Sequence, residues 1–314
     1  MNATAHNPVL SVVIVSFNTC AMTLRCLATL SECLGDLEAE IFVVDNSSRD
    51  GSAQAIREQF PSVILIENER NAGFGAANNL AMQRANGKYL LLLNSDAFLH
   101  SGAIAELVAY LDRHPEVGVV GPRLLNEDGT LQRSCFRFPT PLHAWLDNLW
   151  IAALFGDYRR WPHDCEREVD FVIGACMLVR RSVYEQVGGF DERFFMYQEE
   201  ADWQRRIWQA GWKVAFTPNA EVTHLGGGSG GSEPERVSRS FFESLDHYAR
   251  KHHGTAGLVS IRAAMLVGCS LRAMLWAVAA IAPRWRKRAT AKARKHAWLV
   301  GRQLFTGFPA TNPV

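Results

Sequence analysis

Four short polar stretches in this 314-residue chain carry side chains suited to chemistry. "LLLNSDAFLH" (91–100) runs from three leucines into Asn94-Ser95-Asp96, with no Lys or Arg beside the carboxylate. "VVDNSS" ends an apolar run in Asp45. "QEEADW" places Glu199, Glu200 and Asp202 within one helical turn, and "VTHLGGG" sets His224 before glycines. Asn, Ser and Asp can satisfy their own backbone in tight turns. Alternatively, a carboxylate ending a buried strand holds something cationic. Mg²⁺ and Mn²⁺ are often held by one or two carboxylates plus substrate phosphates.

The elements around these residues favour a site. "VLSVVIVSFN", "EIFVVDN", "SVILIEN" and "KYLLLLNSD" are apolar runs of the kind covered on both faces of a parallel sheet. Thr19 to Cys33 has helical periodicity, "SSRDGSAQAIREQF" turns into a helix, and "AGFGAANNLAMQRAN" is a glycine-rich turn into another. Short-linked strand–helix alternation predicts βαβ units, a mainly parallel sheet with helices on both faces. After "VGVVGPRLL" the regularity fades. Residues 123–230 mix a hairpin, loops rich in Trp and Phe, and the helix "EEADWQRRIWQAG". Open α/β sheets bind ligands at the carboxyl ends of their strands. Here those ends are Phe17-Asn18, Asp45-Asn46, Asn68 and Asn94-Ser95-Asp96, four polar turns on one edge.

A dinucleotide needs glycines directly after strand one, so that pyrophosphate can approach the backbone. "SFNTCAMT" has none there, and the glycines come later, at Gly73 and Gly75. A nucleotide held otherwise fits better. Asp45 can accept from a pyrimidine ring N–H, the backbone at Phe17 can bracket the base, and Asp96 can hold a divalent metal against a diphosphate.

"SVVIVSFN", "VVDNSSRDGS", "NAGFGAANN", "LLLNSDAFL", "GGFDERFFMYQEEADWQRR" and "VTHLGGGS" come in the order seen in family 2 glycosyltransferases. Over residues 9–250 the chain resembles the bacterial rhamnosyltransferase and galactofuranosyltransferase branch. The resemblance implies a glycosyltransferase-A fold, a nucleotide-sugar donor, Mg²⁺ or Mn²⁺, and inversion at the anomeric carbon. By the same resemblance, Phe17 and Asn18 border the base and Asp45 contacts it. Asn71 and Gly73 belong to the substrate site through their block. Asn94-Ser95-Asp96 stands at the D-x-D-like motif, so Asp96 ligates metal and diphosphate, while Asn94 replaces an acid and can only hydrogen-bond. The family usually has Glu-Asp where this chain has Glu199-Glu200, its second acid being the base. That points to Glu200, with Glu199 the alternative. His224 matches a histidine that completes the metal site in some members. Trp203 reads by type as a packing residue, with lining of the acceptor pocket beside the base as the other reading. An inverting base must take a proton from an acceptor hydroxyl, and burial raises a carboxylate pKa towards that task. Glycines 226–228, 230 and 231 suit a lid hinge.

Net charge is only +1, yet no Asp or Glu follows Arg250. The predicted organisation is a catalytic domain over 9–250 (a nucleotide half 9–122, an acceptor half 123–250) and a basic helical tail over 251–314. Residues 257–282 are long enough to span a bilayer, but Arg262 and Arg272 make spanning costly. The two lie about 80° apart on a helix of 3.6 residues per turn. The tail therefore reads as an interfacial amphipathic helix with a polybasic companion on an anionic membrane surface, peripheral to the cytoplasmic face of the inner membrane. A helical hairpin packed on protein, in this chain or in a homo-oligomer, is the other reading. No nucleic-acid reading motif accompanies the charge. Seven scattered cysteines and an N-terminus without a signal pattern predict a reducing compartment. The leading function is transfer of rhamnose from dTDP-rhamnose to a lipid-linked or polysaccharide acceptor in cell-envelope glycan synthesis. A UDP-sugar-dependent galactofuranosyl or hexosyl transferase is an alternative, and a catalytically inactive nucleotide-sugar-binding or assembly subunit is another.

Overall fold

A computed structural model of the chain describes residues 8–151, 160–227, 234–282 and 284–305. The first half alternates as its sequence predicts: β1 (Leu10–Ser16), α1 (Cys20–Leu34), β2 (Ala39–Asp45), α2 (Ser52–Gln59), β3 (Ile64–Glu67), α3 (Phe74–Met82) and β4 (Tyr89–Asn94). Then come β5 (Ala97–Leu99), α4 (Ala103–Arg113), β6 (Val117–Leu125), β7 (Leu131–Gln132), β8 (Cys135–Phe136) and α5 (Pro141–Asn148). The rest comprises β9 (Arg167–Glu168), β10 (Phe171–Val172), β11 (Cys176–Arg180), α6 (Arg181–Val187), α7 (Glu199–Gln209), β12 (Lys213–His224), α8 (Pro234–Ala279) and α9 (Arg286–Phe305).

The main sheet has the order β3-β2-β1-β4-β11-β6-β12-β5. Its strands are apolar throughout because both faces are covered. Val12 and Ile14 of β1 pack with Leu27 and Leu30 of α1 and Leu107 of α4. Val13 faces the other way, into a cluster with Ala77, Ala81 and Met82 of α3 and Ile207 of α7. Each fully buried Val, Leu or Ile contributes about 1.5–3 kcal/mol, so these two layers fix the strands firmly. The parallel register then sets the site edge. Ser16 lies opposite Asp45 and Val15 opposite Asn94, so the three strands end together.

The sheet continues well beyond residue 122, where the sequence loses its regular alternation. β11 runs antiparallel between β4 and β6, while β12 runs parallel to β6. A register shift between Thr217 and Glu221 breaks the period of β12, which is why its pattern is hard to read. The end of β12 pairs antiparallel with the short β5, setting His224 opposite Ala97.

The chain divides into two compact units, Met1–Phe138 with Arg160–Ser244, and Pro139–Arg159 with Leu245–Val314. α5 belongs to the second of these units: its Trp145 Nε1 donates to Ser260 Oγ at 3.0 Å, and Ala144 packs on the cluster of Ala249, Leu258 and Ile261. Within that unit Gly254, at φ 66, breaks the helix into two. Arg262 is buried against Asp246 at 2.7 Å, and Arg272 reaches Asn148 Oδ1 and covers the Trp150 ring. Both arginines are therefore held by protein on one side of the helix. Val267, Leu271, Met274, Leu275, Val278 and Ile281 are exposed. At 100° per residue they centre on the opposite side.

Candidate active site

Residues at the ends of β1, β2, β4 and β12 meet at one cavity of about 310 Å³, lined among others by Phe17, Asn46, Asn94, Asp96, Glu199 and Glu200. The loop after β2 supplies one wall. Asn46 is buried and fully used: its amide donates to Asn71 Oδ1 (2.9 Å) and Gly73 O (3.2 Å) and accepts from Asn68 Nδ2 (2.9 Å) and Ala72 N–H (3.0 Å). It thereby holds Asn71 and Gly73 on the cavity. Gly73 has φ 91, and a Cβ there would meet Phe195 O at 2.4 Å, so glycine is required on both counts. Asp45 is 4% exposed; its Oδ2 accepts from Ser48 N–H at 3.0 Å, while Oδ1 is buried with no partner. Asn18, at φ 53, ties this loop to β1: its N–H donates to Ser48 Oγ and its Oδ1 accepts from Arg49 N–H.

At the end of β4, Ser95 is anchored by Thr19 Oγ1 at 3.0 Å, within a buried hydroxyl cluster that includes Ser16 and Thr23. Asp96 follows, 6% exposed, with its Oδ1 3.3 Å from His224 Nε2. Asn94 Nδ2 is 3.4 Å from the same nitrogen, and Asn94 Oδ1 is buried without a partner. The β5/β12 pairing causes this meeting, since Ala97 and His224 are register partners.

The facing wall is the start of α7. Tyr197 and Gln198 both take left-handed backbone conformations, φ 70 and φ 66. For non-glycine residues this costs about 1–3 kcal/mol each, a strain that clusters at functional sites. The turn is clamped by Ser244 Oγ donating to Met196 O at 2.8 Å and by Phe74 N–H donating to Phe195 O at 2.9 Å. It delivers Glu199 and Glu200 side by side into the cavity, each with a buried Oε2 that has no partner. Burial pushes Glu200 up to about 7; burial, then the Glu200 charge, raise Glu199 well above the carboxylate range. Asp202 differs: it is paired with Arg206 at 3.1 Å, in the role of an acid near a helix N-terminus. Three carboxylates and one imidazole thus face this cavity, and the described lining residues include no Lys or Arg.

Residues 11–188 match the profile of Glycosyl transferase family 2. This chain belongs to that family. It is 31% identical over 294 residues to the N-acetylglucosaminyl-diphospho-decaprenol L-rhamnosyltransferase of Mycobacterium tuberculosis, covering 84% of this chain and 94% of the relative. It is 24% identical to the O-antigen chain rhamnosyltransferase WbaN of Salmonella anatum, covering 70% and 67%. These relatives place it in the rhamnosyltransferase-like branch. Among solved structures it resembles the mannosyltransferase PcManGT of Pyrobaculum calidifontis in complex with GDP-Man and Mn²⁺. The TM-score is 0.57 at 19% identity, over 96% of this chain and 88% of that one. A GalNAc-T7 structure gives 0.52 at 20% identity, over 80% and 52%. The fold is therefore glycosyltransferase-A, and the protein is a glycosyltransferase.

The structure of this glycosyltransferase brings Phe17, Asn71, Gly73, Asn94, Asp96, Glu199, Glu200 and His224 to one cavity. Asn18 and Asp45 are off its wall, and Asn18 serves to lock the loop that carries Asp45. Trp203 takes the packing role. It is 0% exposed, its Nε1 donates to Gly188 O at 2.8 Å, and its ring packs on Phe190, so it is core rather than acceptor wall. Tyr197 and Met196 line the cavity instead and were passed over inside "FFMYQEE", where only a turn was legible. Of the glycines read as a lid hinge, Gly226 and Gly227 take φ 72 and 78; Gly228, Gly230 and Gly231 lie outside the described residues.

Proposed function

We propose that this glycosyltransferase moves rhamnose from dTDP-rhamnose to a lipid-linked or polysaccharide acceptor, with inversion, at a membrane surface. One observation carries the reading: the Asp96–His224 pair and the Glu199–Glu200 pair line one cavity, where Asn94 Oδ1, Glu199 Oε2 and Glu200 Oε2 are buried with no partner. A buried polar atom left unpaired costs about 1–3 kcal/mol, a cost a folded protein retains where a ligand uses the atom. The chain's relatives named for rhamnosyl transfer support the sugar, and the decaprenol-linked substrate in one of those names supports the acceptor class.

The donor set fits a divalent cation. A carboxylate and an imidazole are the protein's share, and among the described residues no cluster of three or more His, Cys, Asp or Glu is built. An anionic donor would enter a cavity whose described lining carries carboxylates and no Lys or Arg, so its diphosphate needs a cation. Asp96 and His224 would hold Mg²⁺ or Mn²⁺, leaving positions for diphosphate oxygens. When bound, the ion neutralises charge growing on the departing diphosphate. Glu200 takes the proton of the acceptor hydroxyl; the freed oxygen bonds to the anomeric carbon, and the bond to the diphosphate breaks with its electron pair leaving on the nucleotide.

A panel of nucleotide sugars tested with membrane lipid extract and Mg²⁺ or Mn²⁺ decides the donor. UDP-sugars belong in it, because uracil and thymine present the same N3–H to Asp45. Slow metal-dependent release of nucleoside diphosphate without acceptor marks an enzyme, and its absence with every donor would indicate a binding subunit. Asp45→Asn should weaken dTDP binding by about 10–100-fold, the equivalent of one hydrogen bond to a charged group. Titration calorimetry reads this, and unchanged affinity removes Asp45 from the base site.

The C-terminal unit suits an anionic membrane surface. Its exposed apolar stripe from Val267 to Ile281 is followed by Arg286, Lys287 and Arg288, all exposed, with no acid after Arg250. Among the described residues one helix, Arg239–Ala279, is long and apolar enough to cross a bilayer, but Arg262 and Arg272 lie within it. The full-length protein should float with vesicles containing anionic phospholipid. High salt should weaken this without abolishing it, because only the basic residues are screened. Met274→Glu with Val278→Glu should release the protein. Absence of flotation at both ionic strengths would show that the stripe packs on protein.

A further inference from the structure

His224 presents Nε2 to Asp96 only if its other nitrogen is occupied, and the structure shows by what. Gln132, on the short strand β7, has its Oε1 2.7 Å from His224 Nδ1 and its Nε2 3.0 Å from the His224 backbone oxygen. A backbone carbonyl can only accept, so the Gln132 amide nitrogen must point at it. That leaves the amide oxygen facing Nδ1, which must then carry the hydrogen. Gln132 Nε2 also donates to Asn126 Oδ1 at 3.0 Å, and Asn126 Nδ2 donates to Thr130 Oγ1 at 2.9 Å. The orientation of the amide is thus fixed from both ends. In the neutral ring the lone pair then lies on Nε2, 3.3 Å from Asp96 Oδ1. With Asn94 Nδ2 3.4 Å from the same nitrogen as a neutral donor, the lone pair and the carboxylate oxygen form an acceptor pair suited to a cation, and a chain of hydrogen bonds starting at a backbone atom enforces it.

We infer that Gln132 is a positioning residue that holds His224 in the Nδ1–H tautomer and so completes, with Asp96, the cation-binding face of the cavity. This rests on the metal reading above for its consequence, but not for its geometry. The partner of a ligating imidazole's other nitrogen orients the ring, and removing such a partner costs about 10–100-fold in metal affinity or activity. Nothing in the sequence marks Gln132: it is one polar residue in "GTLQRSC", 92 positions before His224.

Two measurements test the assignment. The first is a two-bond ¹H–¹⁵N spectrum of metal-free full-length protein labelled with ¹⁵N-histidine, at pH 9 where imidazole is neutral. His224→Ala identifies the resonance among the ten histidines. The expected result is the Nδ1–H tautomer in the wild type and loss of that preference in Gln132→Met. Finding Nε2–H in the wild type overturns the proposal, whether or not the variant folds. The second is Mn²⁺ titration in the presence of dTDP. Gln132→Met should lower Mn²⁺ affinity by about 10–100-fold. In turnover it should raise the Mn²⁺ concentration needed while largely keeping kcat at saturation. Unchanged Mn²⁺ affinity and tautomer in a folded Gln132→Met protein would also overturn it. A wild type that binds no Mn²⁺ sinks the metal reading instead, and the spectrum alone then decides for Gln132.

Discussion

Glu200→Gln lowers the turnover number by about 10²–10⁴, the usual contribution of a general base, and leaves donor binding nearly unchanged. The expectation comes from geometry and charge together. Glu200 enters the cavity at the start of α7, and burial pushes it up to about 7. A base must be deprotonated to act, so kcat/KM in the wild type should rise with pH through about 7 and level off above. That limb should vanish in the variant. Stability moves the opposite way. The pKa of Glu200 is higher in the folded than in the unfolded chain, so the native state holds the extra proton from the ordinary carboxylate range up to about 7. Unfolding free energy therefore falls as pH rises through that window. Glu200→Gln removes the cost and should raise Tm at pH 8, a gain that shrinks as pH falls. If Glu199→Gln instead suffers the larger loss of turnover, the base is Glu199.

Asp96→Asn abolishes turnover and weakens metal-dependent binding of nucleoside diphosphate. The amide keeps the size of the carboxylate but not the charge that draws a cation to His224, 3.3 Å away. The fold should survive, because the strand end is secured by the Ser95 hydroxyl cluster and by Leu225 N–H donating to Asp96 O at 3.1 Å, neither of which needs the side chain. Calorimetry with dTDP, with and without Mn²⁺, separates the effects: the Mn²⁺-dependent increment should disappear while metal-free binding remains. Normal metal-dependent turnover in this variant would falsify the role given to Asp96.

The first half of the sheet was legible because parallel strands buried on both faces write themselves as unbroken apolar runs, and the polar residues ending them stand out. Asp45, Asn94 and Asp96 were found that way. The pairing of Asp96 with His224 was not, since it depends on the register of β5 against β12, and the bulge in β12 blurs the period that would reveal the strand. Glu199 and Glu200 were recognisable by type, yet the turn that aims them rests on left-handed conformations at Tyr197 and Gln198, residues with no special preference for them. Trp203 packs rather than lines the cavity for a helical reason. It lies four residues after Glu199, on the same inward face of α7, and that face continues from the cavity into the core against Phe190. Side chains i and i+4 share a face but not a depth.

The β5/β12 pairing also dictates when during folding the protein becomes competent. Asp96 and His224 are joined by three register partners, Leu99 with Val222, Phe98 with Thr223 and Ala97 with His224. They are separated by 128 positions in the chain (96 to 224). Closing a loop of that length is entropically unfavourable until the strands between are docked, so this edge assembles late. A nascent chain ending between residues 95 and 223 contains β1 to β4 but lacks His224. The same edge should be among the first places to open in the folded protein. Amide exchange at Val222 to His224 should accordingly report occupancy of the cavity, slowing when Mn²⁺ and dTDP are added and unaffected by either substrate-free salt or denaturant-free dilution.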